Sequence, residues 1–253
     1  MSPEQIEAAA AALAGARTGP VLAGLPEAAR PQSEAEAYAI QDAVLKRLGE
    51  RIGGWKVGAA GPEAPPFFAP ILASAIHPSP AALPARNFRL LGIECEIGFR
   101  VTRDLSKRAQ PYSRDEILAA VALHPTIEVV DSRYADFRSL DRLSVLADNF
   151  SNGALVYGAA VPDAEWQGID LAHPPIEVTA NGKPFADCTG LRTGDPIRLL
   201  TAVLNHAAAE RGGAPAGTFV TTGTHTGMVF TEPGARIVAD YGRLGRVEVS
   251  FSR

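Results

Sequence analysis

Cysteine is scarce: Cys95 and Cys188 are the only two among 253 residues. Two cysteines cannot make a disulfide framework, and without a C-x-x-C pair there is no thiolate spacing for zinc. The expectation is a reduced, cytoplasmic protein. A dense basic run is also missing. Lys and Arg total 24 against 28 Asp and Glu, a net charge of −4, which argues against nucleic acid as the main partner. No apolar run approaches the roughly 18 residues of a membrane span, so no membrane partner is expected either. The opening MSPEQIEAAAAALAGARTG has no basic segment before an apolar one and reads as a helix, not a targeting signal. HExxH and GxSxG are absent, which removes support for zincins and elbow-type serine hydrolases.

Hydrophobic residues make up 46% and charged residues 21%, as in ordinary globular chains. The length allows one large domain or two small ones, and one domain over 1–253 is expected. Its first 50 residues read as helical. Ser2 with Gln5 and Ser33 with Glu36 look like capping boxes, and apolar residues recur at helical spacing behind each. Residues 51–253 read as β-rich: GGWKVGAA, FRLLGIECEIGFRVTRDL, TIEVVDSRY, GALVYGAAV, PIEVTANGKPF, GTFVTTGTHTGMVF, ARIVADYG and RVEVSF are short, β-branched or alternating, and bounded by turn formers. NGK at 181–183 predicts a hairpin turn. Two further helices are expected, SRDEILAAVALHP from Ser113 and a longer one capped by Asp195 with Pro196 at its first position. Strands and helices do not alternate strictly, so the fold class is α+β with a mixed or antiparallel sheet.

GIECEIGF, residues 92–99, reads as a strand, which turns Glu94 and Glu96 to one face with Cα atoms roughly 6.5–7 Å apart. Ile93, Cys95 and Ile97 face the other way. Two carboxylates on one face repel unless a cation lies between them or both reach water. E-x-E by itself also describes a solvated strand face. Glu128 adds weight to the cation, because it stands between Ile127 and Val129 where a lone acid needs a partner. An all-oxygen set suits Mg²⁺, Mn²⁺ or Ca²⁺ rather than zinc. Asp131 and Arg133 could serve such a site or form a plain surface ion pair. Lys56, between Trp55 and Val57 and flanked by glycines, could have a lowered pKa and transfer protons or hold a carboxylate; it could equally be an edge-strand Lys. LADNFSNG, 146–153, has the composition of a turn. TTGTHTG, 221–227, could offer N–H groups and hydroxyls to an anion, but it lacks the Lys of a phosphate-binding loop.

GGWKVG, GIECEIGF, PTIEVVDSRY, LADNFSNG and TTGTHTG follow one another in the order and spacing of the fumarylacetoacetate hydrolase superfamily. The chain most resembles its branch of 2-hydroxypenta-2,4-dienoate (2-keto-4-pentenoate) hydratases and 4-oxalocrotonate decarboxylases, from about residue 35 to the C-terminus and more loosely before it. The resemblance implies a β-rich domain with a rolled mixed sheet, preceded by the N-terminal helices, and a homo-oligomer. It implies Mg²⁺ or Mn²⁺ held by Glu94, Glu96 and Glu128. It matches the family's catalytic Lys to Lys56 and its Ser, also expected to be catalytic, to Ser151; its late loop matches the run from Thr224 to Gly227, where Thr224 and His225 are expected to bind substrate, His225 being an unexpected residue there. The implied activity is a metal-dependent hydratase acting on a 2-hydroxy-dienoate or 2-oxo-enoate in aromatic catabolism, with a small-molecule 2-oxo acid as partner. Alternatives are a decarboxylase of the 4-oxalocrotonate type, an acylpyruvate-type C–C hydrolase, or a catalytically weak 2-oxo-acid binder. One departure stands out. Family hydratases carry an acid after the Lys strand, where this chain has GPEAPPFFAPIL. Its prolines suggest a lid or wall over the metal site, presenting Phe67 and Phe68 to the substrate and favouring an uncharged substrate tail over a second carboxylate.

Overall fold

The computed structural model describes residues 1–166 and 168–253. The helices are α1 (Pro3–Ala16), α2 (Glu34–Leu48), α3 (Arg114–Leu118), α4 (Arg142–Ala147), α5 (Asp163–Trp166) and α6 (Pro196–Glu210). The strands are β1 (Ile52–Ala59), β2 (Pro66–Leu72), β3 (Ile76–Pro78), β4 (Ala81–Leu83), β5 (Gly92–Val101), β6 (Leu105–Ser106), β7 (Val121–Val130), β8 (Asn152–Tyr157), β9 (Glu177–Ala180), β10 (Lys183–Ala186), β11 (Gly213–Ala214), β12 (Phe219–Thr224), β13 (Val229–Phe230), β14 (Arg236–Asp240) and β15 (Arg246–Phe251). No described helix is long and apolar enough to cross a membrane.

The larger sheet runs β2-β1-β12-β5-β7-β8-β3, with β13 also on β5. It is mixed: β1–β12 and β3–β8 are parallel, the other pairs antiparallel. A second sheet runs β10-β9-β14-β15-β4. Between the sheets and α6 lies the main core, with Trp55, Ile97, Phe99, Leu123, Leu199 and Val249 in one apolar cluster. The N-terminal helices make a second cluster, in which Leu13, Ile40 and Val44 pack with Phe67, Tyr134 and Leu146. The fold is thus α+β, a curled mixed sheet with helices at the N-terminus. The curl shows in one ion pair. Lys56 on β1 and Glu128 on β7 are three strand spacings apart, about 14 Å in a flat sheet, yet Nζ and Oε1 are 2.8 Å apart.

Several local expectations hold. Ser2 and Gln5 form the reciprocal capping box of α1. Asp195 caps α6, with Pro196 at its start. Asn181 and Gly182, at φ 51° and 77°, make the turn between β9 and β10, as their left-handed tolerance allows. Two expectations need correction. At α2, Ser33 accepts the Glu36 N–H, but the Glu36 carboxylate turns to the Gln32 N–H and the Met1 ammonium instead of closing a box. The helix expected over 113–125 stops at Leu118, and β7 begins at Val121. Pro125 disfavours helix at His124, and Val121, Leu123 and Ile127 gain a full ladder with β5 and a buried face.

Candidate active site

β5 and β7 pair so that Glu94 lies directly opposite Glu128, and Glu96 opposite Thr126. Strand alternation then turns all three acids to the concave face, while Ile93, Cys95, Ile97, Ile127 and Val129 fill the core behind. One ligand oxygen from each of the three acids lies within 4.8 Å of the others. All three are buried; Glu128 is fully so, and Glu96 is 1% exposed. Beside them β1 presents Lys56, next to Thr221 of β12. Glycines on either side let the chain close in: a Cβ at Gly54 would meet the Phe219 carbonyl at 2.7 Å, and one at Gly58 the Phe67 ring at 2.6 Å.

Lys56 Nζ donates to Glu128 Oε1 at 2.8 Å and to the Phe150 carbonyl at 3.2 Å, and lies 3.8 Å from Glu94 Oε2. Asn152 Nδ2 donates to the same Glu128 oxygen at 2.9 Å. The Gly223 N–H donates to Glu96 Oε2 at 3.0 Å. Burial works to lower the Lys56 pKa, but Glu128, Glu94 and Glu96 outweigh it and hold it above its ordinary value. The lowered pKa expected from its apolar neighbours is therefore corrected: Trp55 and Val57 point to the opposite face. Burial raises the Glu94 carboxyl to about 7, with Lys56 opposing and Glu128 adding. Burial also lifts Glu96 well above the carboxylate range, with Glu128 and Glu94 adding to it.

Ionised together, three carboxylates against one ammonium would leave two negative charges in a buried space, and that cost is what pushes Glu94 and Glu96 toward their protonated forms in the metal-free chain. The second Glu128 oxygen, Oε2, is buried with no hydrogen-bond partner. An unsatisfied carboxylate oxygen beside two further acids is a poor resting arrangement without a cation and a fitting one for a hard divalent ion.

The turn that supports Lys56 is unusual. Asn149, Phe150 and Ser151 have φ of 49°, 48° and 58°. Left-handed non-glycine residues cost about 1–3 kcal/mol each when strained. Buried Arg133 and Asp148 hold them: the two side chains form an ion pair, and Arg133 also donates to the carbonyls of Asn152 at 3.0 Å and Asp148 at 2.7 Å. Arg133 is thus neither at the surface nor paired with Asp131. Asp131 instead accepts the backbone N–H groups of Arg89 and Leu90.

Of the residues singled out in the sequence, the structure brings Glu94, Glu96, Glu128 and Lys56 together. Ser151 lies in the supporting turn, its Oγ buried without a partner. Thr224 pairs with Glu96 across β12 and β5, and its hydroxyl donates to the Gly227 carbonyl at 3.3 Å. His225 turns elsewhere: its Nε2 is 2.9 Å from the Leu171 carbonyl, and burial lowers its pKa. The lid reading of GPEAPPFFAPIL is corrected, because Pro66–Leu72 is an edge strand of the large sheet, paired antiparallel to β1. An edge position is what its prolines permit. Its two aromatics therefore diverge. Phe67, opposite Gly58, packs on Phe150 at 4.4 Å. Phe68, on the other face, stacks on His206 of α6 at 4.6 Å. From sequence alone no role falls to Asn152, the Phe150 carbonyl or Asp148, for which the polar run LADNFSNG is the one hint, and Arg133 is considered only beside Asp131.

Comparison with known proteins agrees with this geometry. The family model described as fumarylacetoacetate (FAA) hydrolase C-terminal matches residues 47–252. A 4-oxalocrotonate decarboxylase of Pseudomonas putida is 37% identical over 139 residues, covering 54% of this chain. The chain spans about half, 51%, of that relative's length. A solved 4-oxalocrotonate decarboxylase from Pseudomonas putida G7, complexed with magnesium and adipate, superposes with a TM-score of 0.82 at 26% identity, covering 99% of this chain and 98% of that one. The same enzyme complexed with calcium and acetate gives 0.81 at 25% identity, with the same coverage.

Proposed function

The chain belongs to the fumarylacetoacetate hydrolase family, and from that premise we propose that it is a divalent-metal-dependent lyase that decarboxylates a 2-oxo acid of the 4-oxalocrotonate type. The observation that carries this is the convergence of Glu94, Glu96 and Glu128 on one buried point with Lys56 bonded to it. These three acids would hold Mg²⁺ or Mn²⁺, the ions for which an all-oxygen donor set is suited. A cation there supplies charge stabilisation for an enolate oxygen. In the reaction, the bond between the substrate chain and its distal carboxyl breaks, CO₂ leaves, and the electron pair moves through the conjugated system onto the 2-oxo oxygen.

The chain's own groups then have defined tasks. Lys56, fixed by Glu128 and the Phe150 carbonyl, holds a substrate carboxylate or a proton beside the reacting carbons. Burial of the acids keeps bulk water away from the developing charge. Decarboxylation needs an electron sink but no activated water. Opposite Lys56, β2 offers Ala69, and no acid occurs from Pro65 to Leu72 to activate one. With Phe68 on the far face, the argument for an uncharged substrate tail loses half its basis, and the names of the relatives favour a diacid.

Hydration of a 2-hydroxy-dienoate is the second reading, favoured by the free, buried Ser151 hydroxyl, which can fix a water. The resemblance to homo-oligomers extends the proposal to the assembly. Incubation with 4-oxalocrotonate and Mg²⁺ or Mn²⁺ is expected to release CO₂, and EDTA to stop it. Absence of CO₂ release with metal present, alongside consumption of 2-hydroxypentadienoate, would overturn decarboxylation in favour of hydration.

A further inference from the structure

Away from the acids, a cavity of about 590 Å³ opens beside the end of α1. Arg17, Arg86, Arg89 and Arg133 line it with one acid, Asp131; neither Lys56 nor any of the three clustered glutamates does. The cations outnumber their counter-ions. Arg133 is paired with Asp148. Arg89 spends its Nη2 on the carbonyls of Ala16 and Gly19, which also screens the negative end of the helix. Among the described residues, Arg17 and Arg86 form no ion pair, and Arg17 Nε is buried with no hydrogen-bond partner. Asp131, whose Oδ1 also accepts two backbone N–H groups, brings one negative charge to a lining with four arginines. Burial, and then Arg133 alongside, depress the Arg17 pKa to about 10 against the pull of Asp148, Asp131 and Glu50, so it stays charged at neutral pH. A half-buried guanidinium whose Nε is shut off from water without a partner favours an incoming acceptor, and its fork matches the oxygens of a carboxylate or phosphate.

We propose that this arginine-lined cavity is a second site, binding a small oxyanion: a phosphate or carboxylate group of a metabolite held by Arg17 and Arg86. The volume exceeds that of bare phosphate and leaves room for an organic remainder. One wall connects to the active-site turn, because Arg133 donates to the Asn152 carbonyl while Asn152 Nδ2 donates to Glu128.

The test is calorimetric titration of the metal-free full chain at fixed ionic strength, first with inorganic phosphate and then with malonate. Saturable one-site binding is expected for at least one probe, and the tighter probe identifies which oxyanion the site prefers. Arg17→Gln should weaken binding about tenfold or more. Arg86→Gln, a change at an exposed side chain that the fold tolerates, should weaken it about threefold. Arg236→Gln, on β14, should leave it unchanged. Lack of saturable heat with either probe, or equal affinity in all three variants (an adventitious ion only), would overturn the site. So would sedimentation showing that Arg86→Gln separates subunits while neither probe binds, since an acid of a second copy would then be the occupant. Catalysis is not read in any arm, so failure of the lyase assignment cannot be mistaken for failure here.

Discussion

The two faces of β5 and β7 are built from alternate residues of the same strands and are almost equally buried. On one, Ile93, Cys95, Ile97, Phe99, Ile127 and Val129 are within 1% of full burial and purely apolar. On the other, Glu94, Glu96, Glu128 and Thr126 are buried almost as deeply but are polar. The apolar face stabilises the fold by removal from water. The polar face opposes it and is kept by partners: Lys56, Asn152 and the Gly223 N–H. Burial alone therefore does not mark the core. A strand buried on both sides whose residues alternate between hydrophobe and carboxylate carries a site on its charged side.

The sharpest way to break this contrast is to change one residue on each face. Glu96→Gln removes an ionisable carboxylate ligand from the acid cluster while keeping its shape. Mn²⁺ affinity, measured calorimetrically, is expected to fall about 100-fold or more, equivalent to roughly 2.7 kcal/mol, and turnover with it. Ile97→Ala, the next residue but on the apolar face, should cost about 2–5 kcal/mol in urea unfolding and leave Mn²⁺ affinity within about threefold. A variant pair with these effects exchanged would show that the faces are assigned the wrong way round.

Lys56→Met tests the cation that holds the polar face together. Removing one partner of a buried ion pair typically costs about 3–5 kcal/mol, so the metal-free variant should unfold at distinctly lower urea than the wild type. Saturating Mn²⁺ should narrow that gap by supplying positive charge, while turnover stays about 100-fold down, the lower range of a general acid–base contribution. Retained turnover per folded molecule would make Lys56 structural only.

The acids also give a pH signature. Glu94 titrates at about 7 in the folded, metal-free chain, against 4.5 for an ordinary glutamate. The folded chain thus holds a proton that the unfolded chain releases, so this group's contribution to stability declines as pH rises from 4.5 through 7. A metal ion competes with that proton. The rise in melting temperature on adding Mn²⁺ should therefore grow with pH across this window. A rise independent of pH would mean that the ion does not displace a proton from the acids.

Much of this was legible in the sequence. Period-two alternation in GIECEIGF puts Glu94 and Glu96 on one face, and a lone Glu between Ile127 and Val129 asks for a partner, but it took the family resemblance to join Glu128 to them, and the register of β5 with β7 sets the two opposite. Asp195–Pro196 and Asn181–Gly182 carry their structural instruction locally, in a cap and in a left-handed turn. Less legible was whatever depends on residues far apart meeting. The β7 start at Val121 is decided by pairing with β5 and by Pro125, not by the helix-favouring alanines before it. The buried pair of Arg133 with Asp148 depends on how the chain reverses at 148–152, and no spacing rule links the two. Lys56 looked set for a lowered pKa from its sequence neighbours Trp55 and Val57, yet in a strand adjacent residues face away, and its true neighbours are acids.

The same alternation yields the smallest effect, at Phe67 and Phe68. As a lid the pair would act on the substrate together, but in β2 they occupy opposite faces. Phe67 packs on Phe150, whose carbonyl accepts from Lys56, so Phe67→Leu should loosen that turn and lower kcat several-fold. Phe68 lies across the sheet, its ring at 21° to that of His206. Phe68→Leu should forfeit an aromatic contact worth about 0.5–1.5 kcal/mol and lower the melting temperature slightly. Its kcat/KM should stay within about twofold of wild type, because the polar contacts of Phe68 are made by its backbone, the N–H to Tyr38 Oη and the carbonyl from Gln41 Nε2, and neither partner is one of the acids. Steady-state kinetics of both variants on a pentadienoate and its dicarboxylate analogue make the comparison. A change of substrate preference larger in Phe68→Leu than in Phe67→Leu would mean that this segment leaves the sheet and closes over the substrate during turnover.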